Sequence, residues 1–187
     1  DLTAWGHTAT EVDYDADNPE NGTVRFFDAD GNPAGTLTFK NIEKVIACFT
    51  PGCHILTADG DVVIEDLVVG DRVLTRDSGW QEIRWIGRRN LTGDEVAAEP
   101  RFAPVRIAKG ALGGGLPERD MRVSPQHRML FAGPRAELLF GEHEVLVAAI
   151  HLVGQPGITR TEPRAVSYIH LMFDRHEIVL ADGAWSE

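Results

Sequence analysis

Cysteine is nearly absent: 187 residues hold two, Cys48 and Cys53. A disulfide-stapled scaffold needs more, so the fold must rest on an apolar core. Basic charge is also short. Eighteen Lys and Arg face 29 Asp and Glu, a net charge of −11. A nucleic-acid partner needs a cationic surface that displaces counterions, and this composition offers none. No run reaches the roughly 18 apolar residues of a membrane-spanning helix. The sequence begins at Asp1 in polar residues, without an apolar leader run. Clear helical periodicity is missing from every stretch longer than about ten residues. Asparagine is missing after Asn90.

What is present reads as β-structure. Apolar residues alternate at 23–27 and 36–39 around Gly31-Asn32-Pro33, a hairpin pattern. The alternation runs on from Ile42 to Phe49. Further hairpins are predicted for 53–57 with 61–64, and for 71–75 with 81–86 across Asp77-Ser78-Gly79. Strands are expected at 105–107, 121–124, 129–131, 144–149, 165–173 and 176–180, with Ala181-Asp182-Gly183 as a turn. The glycine-rich stretch 110–117 has no phosphate-loop spacing and reads as a loop. Short strands with frequent turns indicate an all-β fold. Residues 1–22 are rich in Asp, Asn and Gly, so 1–47 is taken as a flank carrying a β-hairpin and 48–187 as the main domain.

One stretch carries most information: Ala47-Cys48-Phe49-Thr50-Pro51-Gly52-Cys53-His54, then Glu65-Asp66-Leu67 and Gly70-Asp71-Arg72-Val73-Leu74. Downstream stand Val123-Ser124-Pro125-Gln126-His127-Arg128 and the block from Val166 to Gly183, which bears Tyr168, His170 and His176. In this order the blocks resemble those of the Hint family, shared by inteins and Hedgehog autoprocessing domains. The wording, including Arg84-Trp85-Ile86-Gly87, is most similar to the bacterial intein-like subfamily.

The resemblance implies a Hint horseshoe of curved antiparallel strands with pseudo-two-fold symmetry and adjacent first and last strands. It implies that the domain attacks the Ala47–Cys48 bond, with its own flank as substrate. Cys48 would be the nucleophile in an N-to-S acyl shift. Ser124 would hold the scissile amide, and His127, near neutral pKa, would protonate the departing nitrogen. His170 falls where inteins often place an assisting Asp, and His176 near the late-block histidine. The thioester would pass to water, an amine or a thiol, without a cofactor. Splicing inteins end in His-Asn; here the last residues are Gly183-Ala184-Trp185-Ser186-Glu187, so N-terminal cleavage is expected rather than splicing. The subfamily is often joined to secreted proteins, which implies an extracellular bacterial setting.

Plainer readings stand beside these. A buried cysteine is ordinarily inert core. The same fold could serve as a catalytically silent adhesion module. Cys53 stands where Thr is more usual; a disulfide to Cys48 would mask the nucleophile, and no spaced Cys/His set completes a zinc site. Asp13, Asp15 and Asp17 resemble the start of a calcium loop. Asn18 replaces its glycine and Val24 its final Glu, which favours a solvated acidic turn.

Overall fold

The computed structural model describes residues 9–14, 22–27, 30, 32–39 and 47–187. The chain divides into two compact units, Asp1–Val45 and Ile46–Glu187. In the first, β1 (Ala9–Tyr14), β2 (Gly22–Phe27) and β3 (Pro33–Phe39) form an antiparallel meander. The β2–β3 hairpin is the one expected. Strand β1 was hidden by the density of Asp and Asn around it, although Thr10, Val12 and Tyr14 alternate as a strand should. Asp13 pairs with Thr23 within β1–β2; Asp15 and Asp17 lie outside the described residues, as does the stretch 42–46.

The second unit is built from short antiparallel strands, as an all-β Hint fold is. Its largest sheet runs β12 (Glu144–Ala148), β11 (Arg128–Ala132), β16 (Ala184–Ser186), β15 (Val179–Ala181), β4 (His54–Thr57), β6 (Arg72–Thr75), β7 (Gly79–Glu82), with β5 (Gly60–Val63) on β4. A second sheet orders β10 (Met121–Val123), β9 (Val105–Ile107) and β13 (Ile158–Arg160). A ribbon pairs β8 (Trp85–Leu91) with β14 (Val166–Met172). Helices are brief: α1 (Gly93–Ala98), α2 (Pro134–Phe140) and α3 (Ala149–Leu152). Thr92 and Glu95 close a capping box on α1.

The expected pairing of 71–75 with 81–86 stops early. Strand β7 ends at Glu82, and the chain changes partner over the next two residues. Ile83 N–H still donates to Asp71, but Arg84 N–H donates to Met172. Ile83 is fully buried, so it anchors the crossover, and Trp85 onward joins β14.

The expected adjacency of the first and last strands is met one strand short: β4, the first strand of this unit, pairs with β15, and the last strand, β16, lies beyond β15. Ile55 of β4 faces Ala181 of β15, and the Asp182 N–H donates to the His54 carbonyl at 2.8 Å. Asp182 and Gly183 both have positive φ, +46° and +77°, the geometry of a two-residue hairpin turn between β15 and β16. Ile55 is fully buried there. Replacing it with Ala removes three carbons at this junction and is expected to cost about 2–5 kcal/mol. Val69→Ala, at a side chain 58% exposed, should stay within about 0.5 kcal/mol. Urea unfolding of the two variants checks the contrast.

Candidate active site

The segment from Ala47 to Thr50 lies between two strands. Phe49 exchanges backbone hydrogen bonds with Ile169 of β14, both 2.9 Å, and bridges to Val123 of β10. This single residue links the β10-β9-β13 sheet to the β14-β8 ribbon.

The peptide bond before Cys48 is held at both polar ends. Cys48 N–H donates to Ser124 Oγ at 3.0 Å. The Ala47 carbonyl oxygen lies 2.8 Å from His170 Nδ1. A carbonyl only accepts, so His170 carries its proton on Nδ1 and donates it. Ser124 N–H donates to the Cys48 carbonyl at 2.8 Å and completes the clamp.

The local sequence explains this placement. Ser124 ends the run of β10, and Pro125 suits the next turn position. His127 N–H returns to the Ser124 carbonyl at 3.0 Å, so the turn carries both side chains of the Ser-x-x-His motif. His127 is 0% exposed, and its ring meets Phe49 edge-on at 4.3 Å. Among the described residues neither ring nitrogen has a hydrogen-bond partner. Burial pushes its pKa down to about 3, and a charge on His170 would push it further. The expected near-neutral pKa is therefore not found: the resting ring is neutral because its surroundings do not solvate a cation.

Cys48 is 6% exposed and sits in a small apolar cluster with Leu91, Val96, Ala103 and Tyr168. Burial pushes its thiol up to about 12, while the positive charge of Arg89 pulls the other way. Tyr168 donates its hydroxyl to the Phe102 carbonyl at 2.6 Å, and burial raises its pKa as well. The Arg89 guanidinium lies over the Phe102 ring, 5.4 Å from its centre.

Ala47, Cys48, Ser124 and His170 thus meet at one peptide bond, with His127 on the adjoining turn. Cys53 goes elsewhere. It is buried in the main core, its Sγ within 3.4 Å of the Arg122 carbonyl. Both cysteines are free. His176 is not brought to this group either; its side chain is 64% exposed and pairs with Glu187. Trp85 and Arg89 escaped sequence reasoning. Their signal, alternation along one face of β8, has meaning only once β8 is known to pair with β14. Among the described residues no cluster of three or more His, Cys, Asp or Glu could hold a metal ion.

The family profile described as Hint domain matches residues 47–187. The chain belongs to the Hint family. No curated protein matches it. The solved structures similar to it include a bacterial intein-like domain from Clostridium thermocellum, 15% identical with a TM-score of 0.48, covering 75% of this chain and 97% of that one. The gp41-1 intein is 11% identical with a TM-score of 0.43, covering 75% and 98%. A general capacity for self-processing belongs to the Hint fold.

The buried histidine gives this Hint domain a testable acid response. Its folded pKa, about 3, lies below the roughly 6.5 of an exposed histidine. The unfolded chain therefore binds the extra proton between those values, and stability falls as pH drops through that window. His127 resonances are expected to show no titration above about pH 4 by NMR. His127→Gln should lose less stability than wild type between pH 6.5 and 4. A normal inflection near 6.5 would contradict the assignment.

Proposed function

We propose that the domain cleaves the Ala47–Cys48 bond by an N-to-S acyl shift. The observation that carries this reading is the double hold on that bond, His170 on its carbonyl and Ser124 on its N–H. A hydrogen bond donated to a carbonyl that is about to become an oxyanion strengthens as charge develops.

Cys48 Sγ attacks the Ala47 carbonyl carbon. The sulfur–carbon bond forms, and His170 Nδ1–H stabilises the oxyanion. As the sulfur–carbon bond forms and the carbon–nitrogen bond breaks, the thiol proton is relayed through His127 to the Cys48 nitrogen. A ring with a pKa near 3 gives up a proton readily, which suits the second half of that relay. The proton count is unchanged: an amide and a thiol become a thioester and an amine. The acyl group, residues 1–47, then passes to water, an amine or a thiol. The proposed reaction is N-terminal release, and residues 91–187 hold no asparagine that could cyclise. The extracellular setting rests on the resemblance alone.

A silent module of the same fold is the competing reading, favoured by the buried, weakly acidic Cys48 thiol. Intact-mass measurement of the 187-residue chain, with and without added thiol, separates the two. Release of the 1–47 fragment is expected with thiol. Cys48→Ala should abolish it. His127→Ala should slow it about 10²–10⁴-fold, the usual worth of acid–base catalysis. Cys53→Ala should retain most of it. Release from Cys48→Ala at the wild-type rate would end the proposal.

A further inference from the structure

His170 must hold one ring orientation to donate from Nδ1 to the Ala47 carbonyl. Its own strand does not fix that orientation, because an imidazole on a β-strand rotates about two bonds. The neighbouring strand supplies a wall. In the β8–β14 ladder His170 faces Gly87, and Met172 faces Trp85. Cross-strand partners share a face, and aromatic side chains reach their diagonal neighbours. Trp85 does so: its ring and that of His170 are 6.4 Å apart at 65°, an edge-to-face contact.

Gly87 makes the contact available. A Cβ built there would stand 2.1 Å from Trp85 Cη2 and 2.5 Å from Cζ3. The indole occupies the space that any other side chain at 87 would fill. The glycine is required by that close approach and not by its backbone angle, since Gly87 is not among the positive-φ glycines. Trp85 remains 41% exposed, so its ring is not placed there to complete the core. It rests against the His170 ring at the cost of leaving apolar surface wet.

We propose that Trp85 is a positioning residue for His170: seated on Gly87, it holds the imidazole with Nδ1–H on the Ala47 carbonyl. The inference rests on the acyl-shift reading above.

The test is the rate at which thiol releases residues 1–47 from the full chain, followed by intact mass. Trp85→Ala should slow release by about tenfold to 10²-fold, the range expected when a catalytic group is misplaced by about 1 Å. Trp85→Phe, which keeps an aromatic edge, should restore the rate to within about threefold of wild type. Trp85→Leu keeps apolar bulk without a ring and should remain slow, which separates positioning from packing. Gly87→Ala should mimic Trp85→Ala, and should do no further harm in the Trp85→Ala background. In the His170→Ala background Trp85→Ala should change nothing. The ¹⁵N signal of His170 gives a readout independent of the rate: the Nδ1–H tautomer dominates in wild type and mixes with the other in Trp85→Ala. Wild-type release by Trp85→Ala beside slow release by His170→Ala would overturn the role of Trp85 alone. Additive losses in the double variant would do the same. Wild-type release by His170→Ala would instead remove the carbonyl interaction, and the inference with it.

Discussion

The arrangement depends on one residue's backbone. Phe49 bonds to Ile169 on one side and bridges to Val123 on the other. A peptide unit fixed at that point cannot rotate, so the unit before Cys48 presents its N–H and C=O in fixed directions. Ser124 and His170 then need only stand where those groups point. Ser124 is placed by the turn after β10 and His170 by the register of β14. Slippage of β14 by one residue would turn His170 to the opposite face. The register is secured by Ile169, which is fully buried beside it.

Burial opposes reactivity at this site, and magnitudes decide whether the two are compatible. A thiol with a pKa near 12 is a thiolate in about one molecule in 10⁵ at pH 7. An intermolecular reaction would be suppressed in proportion. An oriented intramolecular attack carries an effective molarity of about 10⁵–10⁸ M. Desolvation, which lifts the thiol from about 9 to about 12, accounts for about 10³ of that suppression, and the gain from proximity exceeds it. The same burial keeps His127 neutral, and any proton it takes up during the shift is readily released to the departing nitrogen. Arg89 is the nearby charge that moderates the penalty on the thiol without being buried itself.

The strands were legible where alternation is strong and pairing is local. The stretch 105–107 coincides with β9, and 165–173 contains β14 with one residue to spare at each end. Strand β1 was lost in acidic composition. Strand β8 was misassigned because its partner lies some eighty positions away, and local hairpin rules favoured extending β7. Strand β13 was hidden because two of its three residues, Thr159 and Arg160, are polar, and β16 because it directly follows Ala181-Asp182-Gly183, which reads as a terminal turn. Cys48, Ser124, His127 and His170 were visible as an ordered set of chemical types. The protonation state of His127 was not, because desolvation belongs to the packed fold and not to a motif. The burial of Cys53 and the exposure of His176 were invisible for the same reason.

The sequence distances within the site set the order of events. Cys48 and Ser124 are 76 residues apart, and Ala47 and His170 are 123 apart. Neither contact can form until the intervening chain has folded, and long-range pairing of this kind is slow. The hairpin of β15 and β16 closes last along the chain, and Asp182 ties it to His54 at the start of β4. Until Ser124 and His170 reach it, the Ala47–Cys48 bond is an ordinary peptide bond in water, with its carbonyl and N–H solvated. Once they do, its N–H and carbonyl are both held and the carbonyl is polarised. The reactivity of the bond therefore reports completion of the fold: the proposed chemistry is unavailable to a partly folded chain and needs no separate switch to delay it.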